Sequence, residues 1–192
     1  MSIDCFPIVR PHFCRHSRGK AMVSPKPAIF LDRDGTLVRD RGYTYRIEDF
    51  AWVTGAPEAI RKFHEAGFAI FVVTNQGGIG LGMFTEQDMH RFHSHLCIEA
   101  EKNGARITDI AFCMHHPNAI IPGHQTPCAC RKPKPGMILG LASKWQIDLE
   151  QSILIGDKQS DVDAGVAAGC HTYRFDGDDL DALARKVLSI HC

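Results

Sequence analysis

The sequence predicts an α/β fold built on a doubly wound parallel sheet. The chain has 192 residues, enough for one substantial hydrophobic core. From residue 28 onward, short apolar runs alternate with segments of helical periodicity. Most of these apolar runs are continuous, as in parallel strands covered on both faces. Because parallel strands present their carboxyl ends at one edge of the sheet, polar residues that follow the strands are candidates for ligand binding.

Five strands and five helices are predicted in alternation. The strands are expected at residues 28–31, 68–74, 107–114, 152–155 and 171–175. The helices are expected at residues 56–66, 86–103, 137–145, 161–168 and 180–190. Thr85 and Asp88 form a capping pattern for the second helix, and Gly169 stands where the fourth should end.

Charge and hydropathy exclude several classes of partner. Lys and Arg number 22 and Asp and Glu number 22, so the net charge offers no footprint for nucleic acid or an anionic membrane. There is no apolar run of about 18 residues, the length expected of a membrane-spanning helix. We therefore expect a monomeric, cytoplasmic protein whose partner is a small molecule.

Residues 1–27 differ from the rest and are expected to form a flexible N-terminal arm before a domain at residues 28–192. The arm is basic but lacks the apolar segment of a secretory signal. It could be a mitochondrial targeting segment, or a tail before a natural start at Met22, which we favour. Two cysteines and two histidines in the arm form only a loose candidate metal cluster.

The motif DRDGT at residues 32–36 directly follows the first predicted strand. Two carboxylates at the end of a buried strand are costly unless they serve a cation or a reaction. A solvated turn would explain Asp34 and Gly35, since Asp-Gly is a common turn pair. It would not explain Asp32, which still belongs to the end of the strand.

Further polar residues follow the later strands. Thr74 and Asn75 come at the end of the second predicted strand, and Asp157 follows the fourth. Arg131 and Lys132 add cations just before a helix. Each residue alone has an ordinary structural explanation, but together and in this order they suit phosphoryl transfer.

This ordered set resembles the motifs of the haloacid dehalogenase (HAD) superfamily of phosphatases. DRDGT matches the first motif, Thr74 the second, Lys132 the third and the region of Asp157 the fourth. The resemblance implies that Asp32 is a nucleophile forming an aspartyl-phosphate and that Asp34 is the general acid and base. It also implies that Thr74 binds phosphate and that Lys132 neutralises charge on the phosphoryl oxygens.

The same resemblance implies a Mg²⁺ cofactor. Its expected ligands are the Asp32 carboxylate, the Asp34 main-chain carbonyl and Asp157, all of them the hard oxygen donors that magnesium prefers. Asp161, one helical turn beyond Asp157, is expected to support this set from outside rather than to bind the ion directly.

A separate group of cysteines predicts a zinc site in a loop insertion at residues 113–130. Cys113-x-His115 and Cys128-x-Cys130 are separated by twelve residues. Three thiolates and one imidazole make a closed tetrahedral ligand set, which is typical of structural Zn²⁺. The chain has eight cysteines, of which the other five are expected to be reduced thiols.

Two alternatives to this ligand set remain open. The cysteines could form disulfides, although nothing indicates secretion. His116 or His124 could replace His115, but Cys113 and His115 share one side of an extended segment. Because the loop ends at Arg131 and Lys132, a zinc ion there would also fix these two cations.

The motifs DRDGT, TNQxGI, CxHHP, CxCRKPxPGM and GDKxxD further resemble the subgroup of heptose-bisphosphate and histidinol-phosphate phosphatases. Members lack a large cap domain, and here only residues 33–55 and the zinc loop are long enough to screen a site. The resemblance implies hydrolysis of D-glycero-D-manno-heptose 1,7-bisphosphate at the 7-phosphate, with Arg131 and the loop after Asn75 contacting distal groups. At residues 80–82, Gly-Leu-Gly replaces the basic residue often found in that loop.

The sequence favours this function over several others. HHP at residues 115–117 favours the heptose enzymes over a histidinol-phosphate phosphatase or a broader phosphate-ester hydrolase. A non-catalytic binding module is disfavoured because every motif residue is intact. A phosphotransferase is disfavoured because no cap is predicted to exclude water from the intermediate.

Overall fold

The computed structural model describes residues 25–192 and contains a five-stranded parallel sheet. The strand order is β3-β2-β1-β4-β5, and every neighbouring pair is parallel. The strands are β1 (Ala28–Leu31), β2 (Ala69–Asn75), β3 (Asp109–Cys113), β4 (Ile153–Gly156) and β5 (His171–Arg174). This arrangement confirms the predicted doubly wound α/β fold.

Six α-helices and one 3₁₀ helix connect or follow the strands in the described part of the chain. They are α1 (Ala56–Glu65), α2 (Gly77–Gly80), α3 (Glu86–Lys102), α4 (Gly136–Trp145), α5 (Gln159–Ala168), α6 (Leu180–His191) and the 3₁₀ helix Ile47–Asp49. The ten predicted elements agree with these bounds to within two residues. Helix α2 and the 3₁₀ helix were not predicted, because a single turn is too short to show periodicity.

Two hydrophobic clusters cover the two faces of the sheet. Ile29 and Leu31 of β1 belong to the cluster that packs on α1, α3 and α6. Ala28 and Phe30 alternate with them and belong to the cluster under α4 and α5. All four residues of β1 are therefore buried, as the continuous apolar run predicts.

The polar features of the helix ends also match the sequence. At the start of α3, the Thr85 hydroxyl accepts a hydrogen bond from the Asp88 amide at 3.1 Å, and the Asp88 carboxylate accepts one from the Thr85 amide at 2.9 Å. This reciprocal pair satisfies two amides that the helix cannot bond internally. Gly169 ends α5 with a φ of +87°, a conformation that favours glycine.

The chain before β1 already contacts the domain. The Lys26 carbonyl accepts a hydrogen bond from the Asp148 amide at 3.1 Å, and the Pro27 carbonyl accepts one from Ala69 at 3.4 Å. The rest of the predicted arm, including its candidate cysteine and histidine cluster, lies outside the described residues. Within residues 25–192, no helix has both the length and the apolar character required to cross a membrane.

Candidate active site

The polar residues that follow β1, β2 and β4 meet at one edge of the sheet. Because β1 lies between β2 and β4, its carboxyl end stands at the centre of this edge. The edge forms an open cleft of about 260 Å³. The cleft is lined by Asp32, Asp34, Thr74, Asn75, Lys132, Lys158, Ser160 and Asp161.

A buried lysine joins two carboxylates at the base of the cleft. The Lys132 ammonium lies 2.5 Å from an Asp32 oxygen and 2.6 Å from an Asp161 oxygen, and it donates to the Val73 carbonyl at 2.7 Å. Burial alone would lower the pKa of Lys132, but the adjacent Asp32 and Asp161 outweigh burial and raise it. Lys132 therefore remains a cation beside Asp32.

The backbone of Lys132 is fixed by Asn75. The Asn75 side chain donates to the Lys132 carbonyl at 3.1 Å and accepts from the Lys132 amide at 3.0 Å. Asn75 was predicted to bind phosphate or substrate, and it does line the cleft. The carboxamide nitrogen and oxygen each make one hydrogen bond to Lys132, so the side chain also holds that residue in place, and its contact with phosphate or substrate stays a prediction.

Asp157 has the features expected of a metal ligand. Carboxylate oxygens of Asp32, Asp157 and Asp161 lie within 4.8 Å of one another. Burial, followed by the charge of Asp32, raises the pKa of Asp157 to about 6, and one of its buried oxygens has no hydrogen-bond partner. A divalent cation would satisfy that oxygen and offset the repulsion, so Asp32 and Asp157 fit a magnesium site.

Asp161 serves a different purpose. One of its oxygens pairs with Lys132, and the other accepts a hydrogen bond from the Lys158 amide at 2.9 Å, where α5 begins. The carboxylate is thereby used in orienting Lys132 and the start of the helix. Its carboxylate also belongs to the three whose oxygens could together hold a metal ion, so the supporting role outside the metal ligands stays a prediction.

Gly35 allows the first loop to pass close to Asp157. Its φ is +91°, and a Cβ atom built there would lie 2.4 Å from an Asp157 carboxylate oxygen. Any larger residue would push Asp157 away from Asp32 as well as strain the backbone. The glycine of DRDGT thus brings two carboxylate-bearing loops together.

The Asp34 carboxylate is held by a planar pair of donors. Arg33 donates from Nε to Oδ1 at 3.0 Å and from Nη2 to Oδ2 at 2.8 Å. Gln76 donates from Nε2 to Oδ2 of Asp34 at 2.9 Å and to the Thr74 hydroxyl at 2.7 Å. Gln76 therefore links the predicted acid and base to the predicted phosphate-binding threonine.

The four predicted zinc ligands form a second cluster beside this cleft. The Cys113 sulfur lies 3.7 Å from that of Cys128 and 3.0 Å from that of Cys130, and Nδ1 of His115 lies 3.5 Å from both Cys113 and Cys130. A tetrahedral Zn²⁺ site has sulfur–sulfur separations of about 3.8 Å and sulfur–nitrogen separations of about 3.5 Å. Three of these four separations agree with such a site, the Cys113–Cys130 separation is shorter, and all four ligand atoms lie within 4.8 Å of one another, so the donor set suits zinc.

The two alternatives, disulfide bonds and another histidine in place of His115, fit the structure less well. No cysteine in the described part of the chain forms a disulfide, and 3.0 Å between sulfurs is far longer than a disulfide bond of about 2.05 Å. His116 accepts from the Asn118 amide, and His124 contacts the Pro122 carbonyl. Neither imidazole belongs to the cluster of ligand atoms.

The zinc loop packs directly on the turn that follows β2. The Gly80 carbonyl accepts hydrogen bonds from Ile120 at 2.9 Å and Ile121 at 3.0 Å. A Cβ atom at Gly77 would lie 2.9 Å from the His116 ring. Arg131 donates to the His115 carbonyl at 2.9 Å and lies beside Gly77 of the same turn, but it is not among the residues that line the cleft.

The structure thus brings Asp32, Asp34, Thr74, Asn75, Lys132 and Asp157 to one edge and groups the four zinc-loop side chains beside it. Sequence reasoning did not assign roles to Gln76, Lys158, Ser160 or Arg33. Arg33, Gln76 and Lys158 lie inside the motifs given above, which is a signal that could have found them. The contacts of Arg33 with Gln76 and His93 are long-range and leave no local signal.

Comparisons with known proteins agree with this geometry. Residues 129–175 match a family model described as HAD-hydrolase-like. A D-glycero-beta-D-manno-heptose-1,7-bisphosphate 7-phosphatase from Rhodopseudomonas palustris is 42% identical over 163 residues, covering 85% of this chain and 91% of that protein. One of the same name from Yersinia pestis is 40% identical over 151 residues, covering 79% of this chain and 80% of that protein.

A solved structure shows the same arrangement of the chain. D,D-heptose 1,7-bisphosphate phosphatase from B. bronchiseptica, complexed with magnesium and phosphate, superposes with a TM-score of 0.74 at 27% identity. The match covers 85% of this chain and 99% of that one. Taken with the 42% identity to the Rhodopseudomonas enzyme, these matches show that the chain is a phosphatase belonging to the heptose-bisphosphate phosphatase family of HAD hydrolases.

Proposed function

We propose that this phosphatase hydrolyses D-glycero-D-manno-heptose 1,7-bisphosphate at its 7-phosphate through an aspartyl-phosphate intermediate. The observation that carries the mechanism is the buried contact of 2.5 Å between Lys132 and Asp32 at the carboxyl end of the central strand. It provides an oriented nucleophile and a fixed positive charge in one cleft. The names of the relatives support the choice of substrate.

In the first step, an Asp32 oxygen attacks phosphorus. A bond from Asp32 to phosphorus forms while the bond from phosphorus to the sugar oxygen breaks, and the electron pair leaves with that oxygen. Asp34 gives its proton to the departing oxygen, which yields the alcohol. Lys132 and the Thr74 hydroxyl stabilise the negative charge on the other phosphoryl oxygens.

In the second step, Asp34 takes a proton from water. The resulting hydroxide attacks phosphorus of the aspartyl-phosphate, releases inorganic phosphate and restores the Asp32 carboxylate. The proton held by Asp34 is then available for the next leaving group, so both residues end the cycle as they began it. The open cleft gives water access to the intermediate.

Asp32, Asp157 and the main-chain carbonyl of Asp34 would hold magnesium, which neutralises phosphate charge when bound. The orphaned oxygen and raised pKa of Asp157 support this assignment. The magnesium in the B. bronchiseptica complex is consistent with it. The proposal leaves Asp161 outside the ligand set because both of its oxygens are already bonded, one to Lys132 and the other to the Lys158 amide.

The second metal of the proposal is a structural Zn²⁺ held by Cys113, His115, Cys128 and Cys130. It would stabilise the loop that carries Arg131 and Lys132, with no open position for catalysis. Double replacement of Cys128 and Cys130 by serine should therefore lower the melting temperature and the activity together. Cys97→Ser is the matched control, because Cys97 lies on α3 outside the cluster. Unchanged stability and activity in the double variant would contradict a structural zinc.

The remaining properties follow from the same site. Arg131, which lies beside the turn that follows β2, is proposed to contact the distal part of the sugar phosphate. The cations of the cleft, Lys132 and Lys158, suit a small phosphate ester, and the net charge of zero gives no footprint for nucleic acid or an anionic membrane. We further propose a monomer in the cytoplasm, where thiolate zinc ligands remain reduced. Sedimentation of the holoenzyme tests the monomer.

A kinetic panel tests the choice of substrate. The two anomers of heptose 1,7-bisphosphate, histidinol phosphate and simple sugar monophosphates should be compared with magnesium present and withheld. We expect the highest kcat/KM for the heptose bisphosphate, release of one phosphate, and loss of turnover without magnesium. A higher kcat/KM for histidinol phosphate than for the heptose bisphosphate would contradict the proposed substrate. Turnover that does not depend on magnesium would contradict the proposed metal site.

A further inference from the structure

Arg33 is a buried cation that the mechanism above does not use. Its side chain is completely buried, although arginine rarely is unless it is paired. The guanidinium lies 4.7 Å from the centre of the Phe92 ring, in a cation–π arrangement. Besides its two bonds to Asp34, it donates to the Thr44 carbonyl at 2.5 Å and to Gln76 Oε1 at 3.1 Å. The planar guanidinium group of Arg33, with its fork of N–H donors, is therefore fixed from several sides.

His93 supports the far side of the fork. Its Nε2 lies 3.0 Å from Arg33 Nη1, and its ring is 1% exposed. Since a guanidinium can only donate, Nε2 must accept this hydrogen bond and the ring proton must sit on Nδ1. Burial, and then the charge of Arg33, lower the pKa of His93 well below its ordinary value, so the ring is neutral.

The hydrogen bonds to Asp34 leave a defined place for a proton. Oδ2 accepts two hydrogen bonds, one from Arg33 and one from Gln76, whereas Oδ1 accepts one from Arg33 among the described residues. A carboxylate has about four acceptor positions. The remaining lone pair of Oδ1 is thus the free position on a carboxylate whose orientation is otherwise determined.

We infer that Arg33, supported by His93, is a positioning residue that aims the Asp34 carboxylate for proton transfer to the leaving group. The inference deepens the proposed function and rests on it. Arginine is required because its planar fork bonds both oxygens at once, whereas lysine offers a single point charge. The backbone fixes where the Asp34 side chain begins but not its rotation, so a rotated carboxylate would misdirect the proton even with the backbone in place.

The leaving group tests this role. A sugar phosphate departs as a strongly basic alkoxide that needs a proton, whereas p-nitrophenyl phosphate departs as a weakly basic phenolate that does not. Since kcat/KM reports the step that breaks the ester bond, Arg33→Lys should lower it roughly 100-fold for the sugar phosphate and less than about 10-fold for p-nitrophenyl phosphate. KM for the sugar phosphate should change by less than about threefold.

Variants of His93 provide the matched comparison. His93→Gln keeps an acceptor for Arg33 and should retain most of the sugar phosphatase activity, whereas His93→Leu removes it and should show the leaving-group dependence of Arg33→Lys. Asp34→Asn removes the proposed general acid itself, so it should show the largest difference in loss between the sugar phosphate and p-nitrophenyl phosphate. Phe63→Leu, a substitution in the core under α1, should lower the melting temperature without changing the ratio of the two substrates.

The outcomes are distinguishable. A larger loss with the sugar phosphate than with p-nitrophenyl phosphate, in folded Arg33→Lys or His93→Leu protein, supports the positioning role. Equal losses with both esters, or no loss, would overturn it, since a purely structural residue has no preference for the leaving group. A wild-type protein that hydrolyses neither ester would instead overturn the proposed function itself, and this role with it.

Discussion

Replacing Asp157 with asparagine should stabilise the magnesium-free protein while abolishing its activity. Burial and the neighbouring Asp32 raise the pKa of Asp157 from 3.8 to about 6. The folded protein therefore binds this proton more tightly than the unfolded chain does. The resulting loss of stability develops as the pH rises from about 4 to about 6 and is complete at pH 7. Asparagine keeps the shape of the side chain and removes the charge.

The size of the effect follows from the shift. Two pKa units correspond to about 3 kcal/mol at about 1.4 kcal/mol per unit. Because Asp157 is only partly buried, solvent screening reduces this figure to about 1–2 kcal/mol. In a domain of this size, each kcal/mol changes the melting temperature by about 2–4 °C, so we expect an increase of about 2–8 °C at pH 7.

The assay is a thermal melt after dialysis into magnesium-free buffer, without a strong chelator that would remove zinc. Asp163→Asn is the matched control, because Asp163 is exposed on the same helix, α5. Added magnesium should raise the melting temperature of the wild type but not that of Asp157→Asn. The difference between variant and wild type should shrink toward zero as the pH approaches 4. A variant that melts at or below the wild-type temperature at pH 7 would refute this reasoning.

Three other predictions concern single side chains. Asp32→Asn should leave no measurable turnover and no phosphorylated protein by mass spectrometry, because the nucleophile is lost; a near-normal rate would exclude covalent catalysis by Asp32. Asn75→Ala should destabilise the fold by about 1–3 kcal/mol in denaturant titration and lower kcat/KM, since two hydrogen bonds to Lys132 disappear; unchanged kinetics would contradict its holding role. Cys97 and Cys170 should resist iodoacetamide at pH 7.5 because burial raises their pKa to about 11 and about 12, respectively; rapid alkylation of the folded protein would contradict this.

The strands and the residues at their ends were predictable from the sequence because both depend on local patterns. A continuous apolar run such as residues 28–31 identifies a buried parallel strand wherever it lies. Parallel pairing then brings Asp32 and Asp157 to the same edge without further information. The cysteine and histidine spacing likewise identified four side chains that lie together.

The network around Asp34 was not predictable in this way. Arg33 contacts Gln76 and His93, which are 43 and 60 residues away in sequence, respectively. His93 lies on α3, and no local pattern distinguishes a packing histidine of a helix from a partner of a buried arginine. The pair of hydrogen bonds from the Asn75 side chain to the Lys132 backbone was equally unpredictable, because the two residues are 57 positions apart in sequence. Contacts of this kind depend on how the loops pack once the sheet has formed.

The central place of β1 in the sheet has a consequence for biosynthesis. Although β1 is the first of the five strands along the chain, its second edge is closed only by residues 153–156. At about 5–20 residues per second, a ribosome needs on the order of 10 s to make the intervening chain. During that time, an apolar strand keeps an open hydrogen-bonding edge, which is the feature that favours pairing with other chains. The unfinished chain therefore exposes an apolar strand edge that β4 covers in the finished enzyme.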